Sequence, residues 1–167
     1  MFPAKILLID GYNVIHKLPE LKPGLAAGLE YARQKLALMI SAWSRSHPST
    51  ECVIIFDGSI RFAGARDQRL AGIRCIFSQA AHGADDEIIR FVRDARSKNH
   101  EITVISDDNK VGNNCRAHGA TVQPVSYLRT SRTGHSKAGA KNTLGSKGID
   151  RKAASEIDEE LKKKFGL

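Results

Sequence analysis

Three apolar runs in this chain each stop on an aspartate, and that recurrence constrains the fold more tightly than any other feature. Ile6-Leu7-Leu8-Ile9 ends on Asp10-Gly11, Val53-Ile54-Ile55-Phe56 on Asp57-Gly58, and Ile102-Thr103-Val104-Ile105-Ser106 on Asp107-Asp108. The runs are short, rich in branched residues and lack a helical period. That pattern predicts strands buried on both faces, as in the middle of a parallel sheet. A carboxylate at the end of such a strand stands where open α/β sheets place their ligands. Gly11 is read as the residue that lets the chain turn sharply after Asp10.

Between the runs the period changes. Leu25, Leu29, Ala32, Leu36, Met39, Ile40 and Trp43 recur at spacings of three and four. This predicts an amphipathic helix whose polar face carries Glu30, Arg33, Gln34 and Lys35. Trp43 at this spacing reads as core rather than as a stacking platform. Val14 to Gly24, with Pro19 and Pro23, reads as a loop. Gly72 to Phe77 reads as a strand. Ala84 to Lys98 reads as a helix with Ile88, Phe91, Val92 and Ala95 on one face. Asp85, Asp86 and Glu87 fill its first turn, where the helix dipole favours acids whatever else they do. Lys110 to His118 reads as a short helix closed by Gly119. Thr121 to Val125 tolerates Pro124 and so reads as an edge strand. Ser59 to Gly72 gives no firm secondary structure. It carries Arg61, Arg66 and Arg69, whose guanidinium forks suit phosphate. Strands alternating with helices imply five strands in a three-layer α/β/α domain over residues 1–128.

From Arg129 the composition shifts to Ser, Thr, Gly, Lys and Arg. Residues 1–128 carry 16 basic and 13 acidic side chains, residues 129–167 carry 10 and 5, and the whole chain is at +8. More than half the excess positive charge therefore lies in the last quarter. A basic, largely flexible C-terminal arm that grips phosphates by counterion release is the expected role, through Arg129, Arg132, Lys137 and Lys141. A short polar helix is expected over 153–165, from Ile157, Leu161 and Phe165. Cys52, Cys75 and Cys115 have no metal-binding spacing and read as buried thiols. The N-terminus shows no secretion signal pattern, and no apolar run reaches the roughly 18 residues that span a bilayer. The expected setting is cytoplasmic, without a membrane partner; the oligomeric state is not encoded in any pattern.

If the strands are parallel, Asp10, Asp57, Asp107 and Asp108 emerge on one edge of the sheet, and the start of the next helix brings Asp85 to the same edge. Carboxylates so crowded repel one another unless some stay protonated or a cation binds. Oxygen donors without His or Cys suit Mg2+ or Mn2+, ions that activate water against a phosphodiester. Asn13 could hold a water or a phosphate oxygen, and Ser106 could donate to a carboxylate or a phosphate.

Leu8-Ile9-Asp10-Gly11-Tyr12-Asn13, Phe56-Asp57-Gly58, Gly83-Ala84-Asp85-Asp86-Glu87-Ile88 and Val104-Ile105-Ser106-Asp107-Asp108 resemble, in order and spacing, the NYN domain. This is a branch of the PIN-like nucleases, and the likeness is to its YacP-like bacterial members, over residues 4–128. The resemblance implies a PIN-like, mostly parallel sheet of strand order 3-2-1-4-5 with a divalent-metal site at its carboxyl edge. It also implies endoribonuclease activity on RNA. By match, Asp10, Asp85 and Asp107 are the catalytic, metal-binding carboxylates, with Asn13 and Asp57 supporting. Asp108 is a further candidate ligand; an acid stands there where many relatives have another polar residue, which leaves open whether Asp107 or Asp108 faces the metal. RNA is the expected partner, ribosome-associated RNA being one candidate source, and Arg61, Arg66 and Arg69 are expected to hold its backbone. The alternative is an RNA-binding module that keeps the fold without catalysis. A haloacid dehalogenase type of phosphohydrolase wants a second aspartate two residues after the nucleophile, and Tyr12 occupies that position.

Overall fold

A computed structural model describes residues 2–58, 65–79, 81–130 and 161–164. The apolar runs form the centre of a mixed sheet. Strand β1 (Lys5–Asp10) lies between β2 (Thr50–Phe56) and β5 (Glu101–Ile105), parallel to both. Strand β4 (Ile73–Phe77) adds parallel to β2, and β6 (Thr121–Gln123) adds parallel to β5 at the far edge. These five strands take the expected order, and β6 is an edge strand as its proline suggested.

Among the described residues the sheet has six strands rather than five. Strand β3 (Asp67–Leu70) pairs antiparallel to β4 and closes the other edge. It lies in the stretch for which no structure was assigned. Its four residues alternate between exposed and half-buried, too short and too polar for a period-two signal to stand out. Arg74 on β4 forks onto Asp67 across the pair, at 3.0 and 2.6 Å.

Successive residues of a strand face opposite sides, so each central strand feeds two cores. Leu7, Ile9, Ile54 and Phe56 pack against α1 (Gly11–Lys17) and α2 (Leu29–Arg45), with Val14, Ile15, Leu36, Ile40 and Trp43. Ile6, Leu8, Val53, Ile55 and Val104 face α3 (Ala84–Ser97) and α4 (Asn109–Ala117), with Ile88, Val92, Val111 and Cys115. Trp43 is in the core as expected, stacked on His47.

Two local expectations are corrected. The supposed loop from Val14 starts as helix α1, because Val14, Ile15 and Leu18 all bury against the sheet; Pro19 stops that helix, and Pro23 opens a 3-10 turn over Lys22–Ala27. Helix α2 accordingly begins at Leu29 rather than Leu25, and Leu29 is exposed. A short helix, α5 (Tyr127–Thr130), sinks Leu128 into the α1–α2 core. Of the C-terminal segment, Leu161–Lys164 is helical with Leu161 buried. The three cysteines are buried free thiols, and desolvation pushes Cys52 and Cys75 up to about 12. No helix among the described residues is long and apolar enough to cross a membrane.

Candidate functional site

Asp10 is the last residue of β1. It shares the parity of Ile6 and Leu8, so its side chain turns toward the α3–α4 face. Both of those helices follow parallel strands and therefore begin at the sheet's carboxyl edge, which places Asp85 in the first turn of α3 and Asp108 at the cap of α4. One acid thus comes from a strand end and two come from helix starts.

Asp10 is only 7% exposed. Its Oδ2 accepts from the Ser106 hydroxyl at 2.9 Å. The Asn13 amide favours its charged form without closing a well-aligned cap bond. Burial, seconded by the charges of Asp85 and Asp108, outweighs these and raises its pKa from 3.8 to about 6. The half-buried Asp85 is also held above the ordinary range. Desolvation is the main cause and Asp108 the next; Asp86 and Asp57 add to it, while Lys110 opposes them.

Ser106 links the group together. While donating to Asp10, its oxygen accepts from the Asp108 amide at 3.1 Å. Asp108 Oδ1 accepts from the Lys110 and Val111 amides at 2.8 and 3.1 Å, capping α4. Asp107 behaves differently. Its Oδ1 accepts from the Val125 amide at 2.9 Å, tying the loop to the chain beyond β6, and its own amide donates to Asn13 Oδ1 at 2.9 Å. The carboxylate that shares the field of Asp10 and Asp85 is that of Asp108. Asp57 stands beyond Phe56 with the Ser78 hydroxyl at 3.5 Å, and acts on Asp85 electrostatically.

Two glycines bring these parts close. A Cβ on Gly11 would lie 2.4 Å from the Phe56 ring, and one on Gly58 would lie 2.2 Å from the Ser78 carbonyl oxygen. Gly11 therefore serves close packing at the first turn of α1 rather than the sharp turn expected of it.

The donors are all oxygen, the chemistry that Mg2+ and Mn2+ prefer. Among the described residues, no three His, Cys, Asp or Glu side chains are close enough in this conformation to hold an ion jointly. The acids fit such a cation in type and electrostatics, and side-chain rotation would have to close the set.

The arginines expected to meet RNA are dispersed. Arg66 donates to the Phe77 carbonyl and lies 3.7 Å from the buried Glu87. Arg69 donates to the Gly72 carbonyl in the β3–β4 turn, and Arg129 lies 3.7 Å from Glu20. Arg61, Arg132, Lys137 and Lys141 lie outside the described residues. A hollow of about 440 Å³ runs along α3 and is lined by Arg66, Arg74, Arg90 and Lys98, away from Asp10, Asp85 and Asp108. A smaller one of about 190 Å³ opens beside Asp107 and Asp108. Lys110 acts on Asp85 electrostatically, and the Tyr12–Arg33 pair lies on the other face of β1; none of them was singled out as a site residue from the sequence. Tyr12 lies within the opening motif and Lys110 two residues past Asp108, so their positions were a signal; Arg33 read as one more solvated charge.

Comparison with known proteins agrees with this architecture. The Bacillus subtilis protein YacP is 27% identical over 103 residues, which is 62% of this chain and 60% of that protein's length. The crystal structure of a tryptophan-to-leucine mutant of Rae1 (YacP) from Bacillus subtilis matches with a TM-score of 0.64 at 25% identity, over 77% of this chain and 76% of that one. A second Rae1 (YacP) crystal structure from the same organism covers 97% of this chain and 84% of that one, at 22% identity and a TM-score of 0.63, and shows the shared fold. The profile of the YacP-like NYN domain matches residues 7–166, running well past Leu128 into the basic segment. With that match and a PIN-like sheet carrying its acids on the carboxyl edge, the chain belongs to the YacP-like NYN domain family.

Proposed function

We propose that the protein is a divalent-metal-dependent endoribonuclease that hydrolyses RNA phosphodiester bonds at the carboxyl edge of its sheet. The observation that carries this reading is the convergence of Asp10, Asp85 and Asp108 from three separate elements, with Asp10 and Asp85 both held above the ordinary carboxylate range. Such crowding works against folding, and a bound cation would reverse its sign. Asp10, Asp85 and Asp108 would hold Mg2+ or Mn2+, with Asp57 and Asp107 at the margin. Bound there, the ion supplies charge neutralisation and polarises a water and the phosphodiester for hydrolysis.

The chain's own residues do the rest. Ser106 fixes the rotamer of Asp10 and couples it to the loop that carries Asp108. Asn13 ties the start of α1 to the end of β5 through the Asp107 amide, so the two sides of the site stay in register. Lys110 lowers the repulsion that Asp85 presents to an incoming phosphate. The net charge of +8 draws RNA to the surface, with Arg61, Arg66, Arg69, Arg129, Arg132, Lys137 and Lys141 as backbone contacts. Membership of a family with a PIN-like nuclease domain supports the same reading.

The test is cleavage of end-labelled RNA in Mn2+ or Mg2+ by the wild type and by Asp10→Asn. The wild type should cut, EDTA should stop it, and the variant should bind without cutting. Tight binding with no cleavage by either protein would favour the non-catalytic RNA-binding module. Equal cleavage by both would place the chemistry elsewhere.

A further inference from the structure

A cluster of carboxylates repels the polyanion it is meant to cut, so something at the sheet edge must hold the RNA backbone against that field. Arg33 is placed to do so. It lies in the second turn of α2, on the face of β1 opposite the acids, and is half-buried. Its Nε and Nη2 both donate to the Tyr12 hydroxyl, Nε at 2.8 Å. Its guanidinium carbon lies 5.3 Å from the centre of the Phe77 ring, 5.6 Å from that of Tyr12 and 5.9 Å from that of Phe56. The three rings touch in series, Tyr12 to Phe56 at 5.2 Å and Phe56 to Phe77 at 5.3 Å.

Each ring belongs to a residue next to the acidic edge. Tyr12 is two residues past Asp10 and precedes Asn13, Phe56 precedes Asp57, and Phe77 precedes Ser78. The shelf that orients Arg33 is thus built from the start of α1 and the ends of β2 and β4, on the same carboxyl edge of the sheet as the acids. Phe56 and Phe77 are fully buried, so the guanidinium is shielded from water on its ring side, where its field is least screened. A planar, permanently charged fork held in one orientation suits a phosphate better than a flexible ammonium does.

We propose that Arg33 binds a phosphate of the RNA backbone as the strand crosses the sheet edge, adjacent to the phosphate that is cleaved, and that Tyr12 is the positioning residue that aims it. The assignment rests on the endoribonuclease reading, because it needs an RNA strand at the acidic edge. It gives the substrate a direction, across the end of β1 from the α3–α4 side to the α2 side.

The test uses a labelled, mixed-sequence single-stranded RNA, with steady-state cleavage in Mn2+ and binding across a salt series in EDTA. Arg33→Gln should raise KM about tenfold with little change in kcat, and should flatten the slope of log affinity against log salt by about 0.7, one single-strand phosphate contact. Arg33→Lys should recover part of the loss, since the charge remains while the fork does not. Tyr12→Phe should raise KM by a smaller factor and leave the salt slope unchanged. Thermal unfolding checks each fold; should Arg33→Gln not fold, an unchanged KM in both Arg33→Lys and Tyr12→Phe overturns the proposal. An Arg33→Gln protein with wild-type KM and salt slope also overturns it while leaving the nuclease reading intact. A wild type that neither binds nor cuts RNA overturns both.

Discussion

Asp10 is buried, and its carboxyl is held at about 6 mainly by desolvation. A carboxyl raised in the folded state binds more protons there than in the unfolded chain, so stability is highest below the unfolded value of 3.8 and is lost as pH rises through about 6. At neutral pH the ionised group costs the fold on the order of 3 kcal/mol. Asp10→Asn without divalent cation should therefore be more stable than the wild type at neutral pH. The gain should shrink as pH falls below about 6 and vanish near 3.8. Thermal unfolding against pH measures this, and a gain that persists unchanged into acid would refute it. The neighbouring pair makes a second expectation. Asp108 shares the field of Asp10 and Asp85, whereas the Asp107 carboxylate is committed to the Val125 amide. Asp108→Asn, which can still cap α4, should lower cleavage by roughly a hundredfold or more, the scale of losing one preorganised charged group. Asp107→Asn should retain most activity. The reverse ranking in a cleavage assay would assign the site to Asp107.

Among the elements, strand ends and helix starts meet at close range, and the glycines set that range. Gly58→Ala would push a methyl into the Ser78 carbonyl, which is backbone and cannot rotate away. It should destabilise the protein by about 1–3 kcal/mol, seen as a lowered midpoint of thermal unfolding; a wild-type midpoint would show that the β2–β4 edge can relax. The central strands and the helices with a regular apolar face were legible in the sequence, because burial on both faces leaves unbroken apolar runs and burial on one face leaves a helical period. Strand β3 was not, since an exposed edge pair held partly by Arg74 and Asp67 leaves no apolar trace. Helix α1 was hidden because two prolines within ten residues of Asn13 look like a loop, although both fall beyond its last turn. The candidate acids were legible as a set, from their repetition at strand ends. Which of two adjacent aspartates faces Asp10 was not, because a one-residue difference in a loop is decided by the hydrogen bonds to Val125, Ser106 and the α4 amides.

At the scale of the whole molecule, an acidic edge sits in a chain of net charge +8, with the excess concentrated after Leu128. In the proposed function, long-range attraction and local chemistry would fall to different regions. Replacing Arg132, Lys137 and Lys141 with Gln should weaken RNA binding uniformly across sequences and flatten the salt dependence by about 2 in slope. An unchanged slope in a salt titration would remove this segment from the interface. At the edge of the sheet, Asp10, Asp85 and Asp108 are proposed to share a divalent cation. A crystal of the wild-type protein soaked in Mn2+ and measured for anomalous scattering addresses it most directly. A peak should stand between the carboxylates of Asp10, Asp85 and Asp108, at about 2.1–2.2 Å from their oxygens, and should be lost in Asp10→Asn; an empty edge in a crystal of protein that cuts RNA in the same Mn2+ would contradict it.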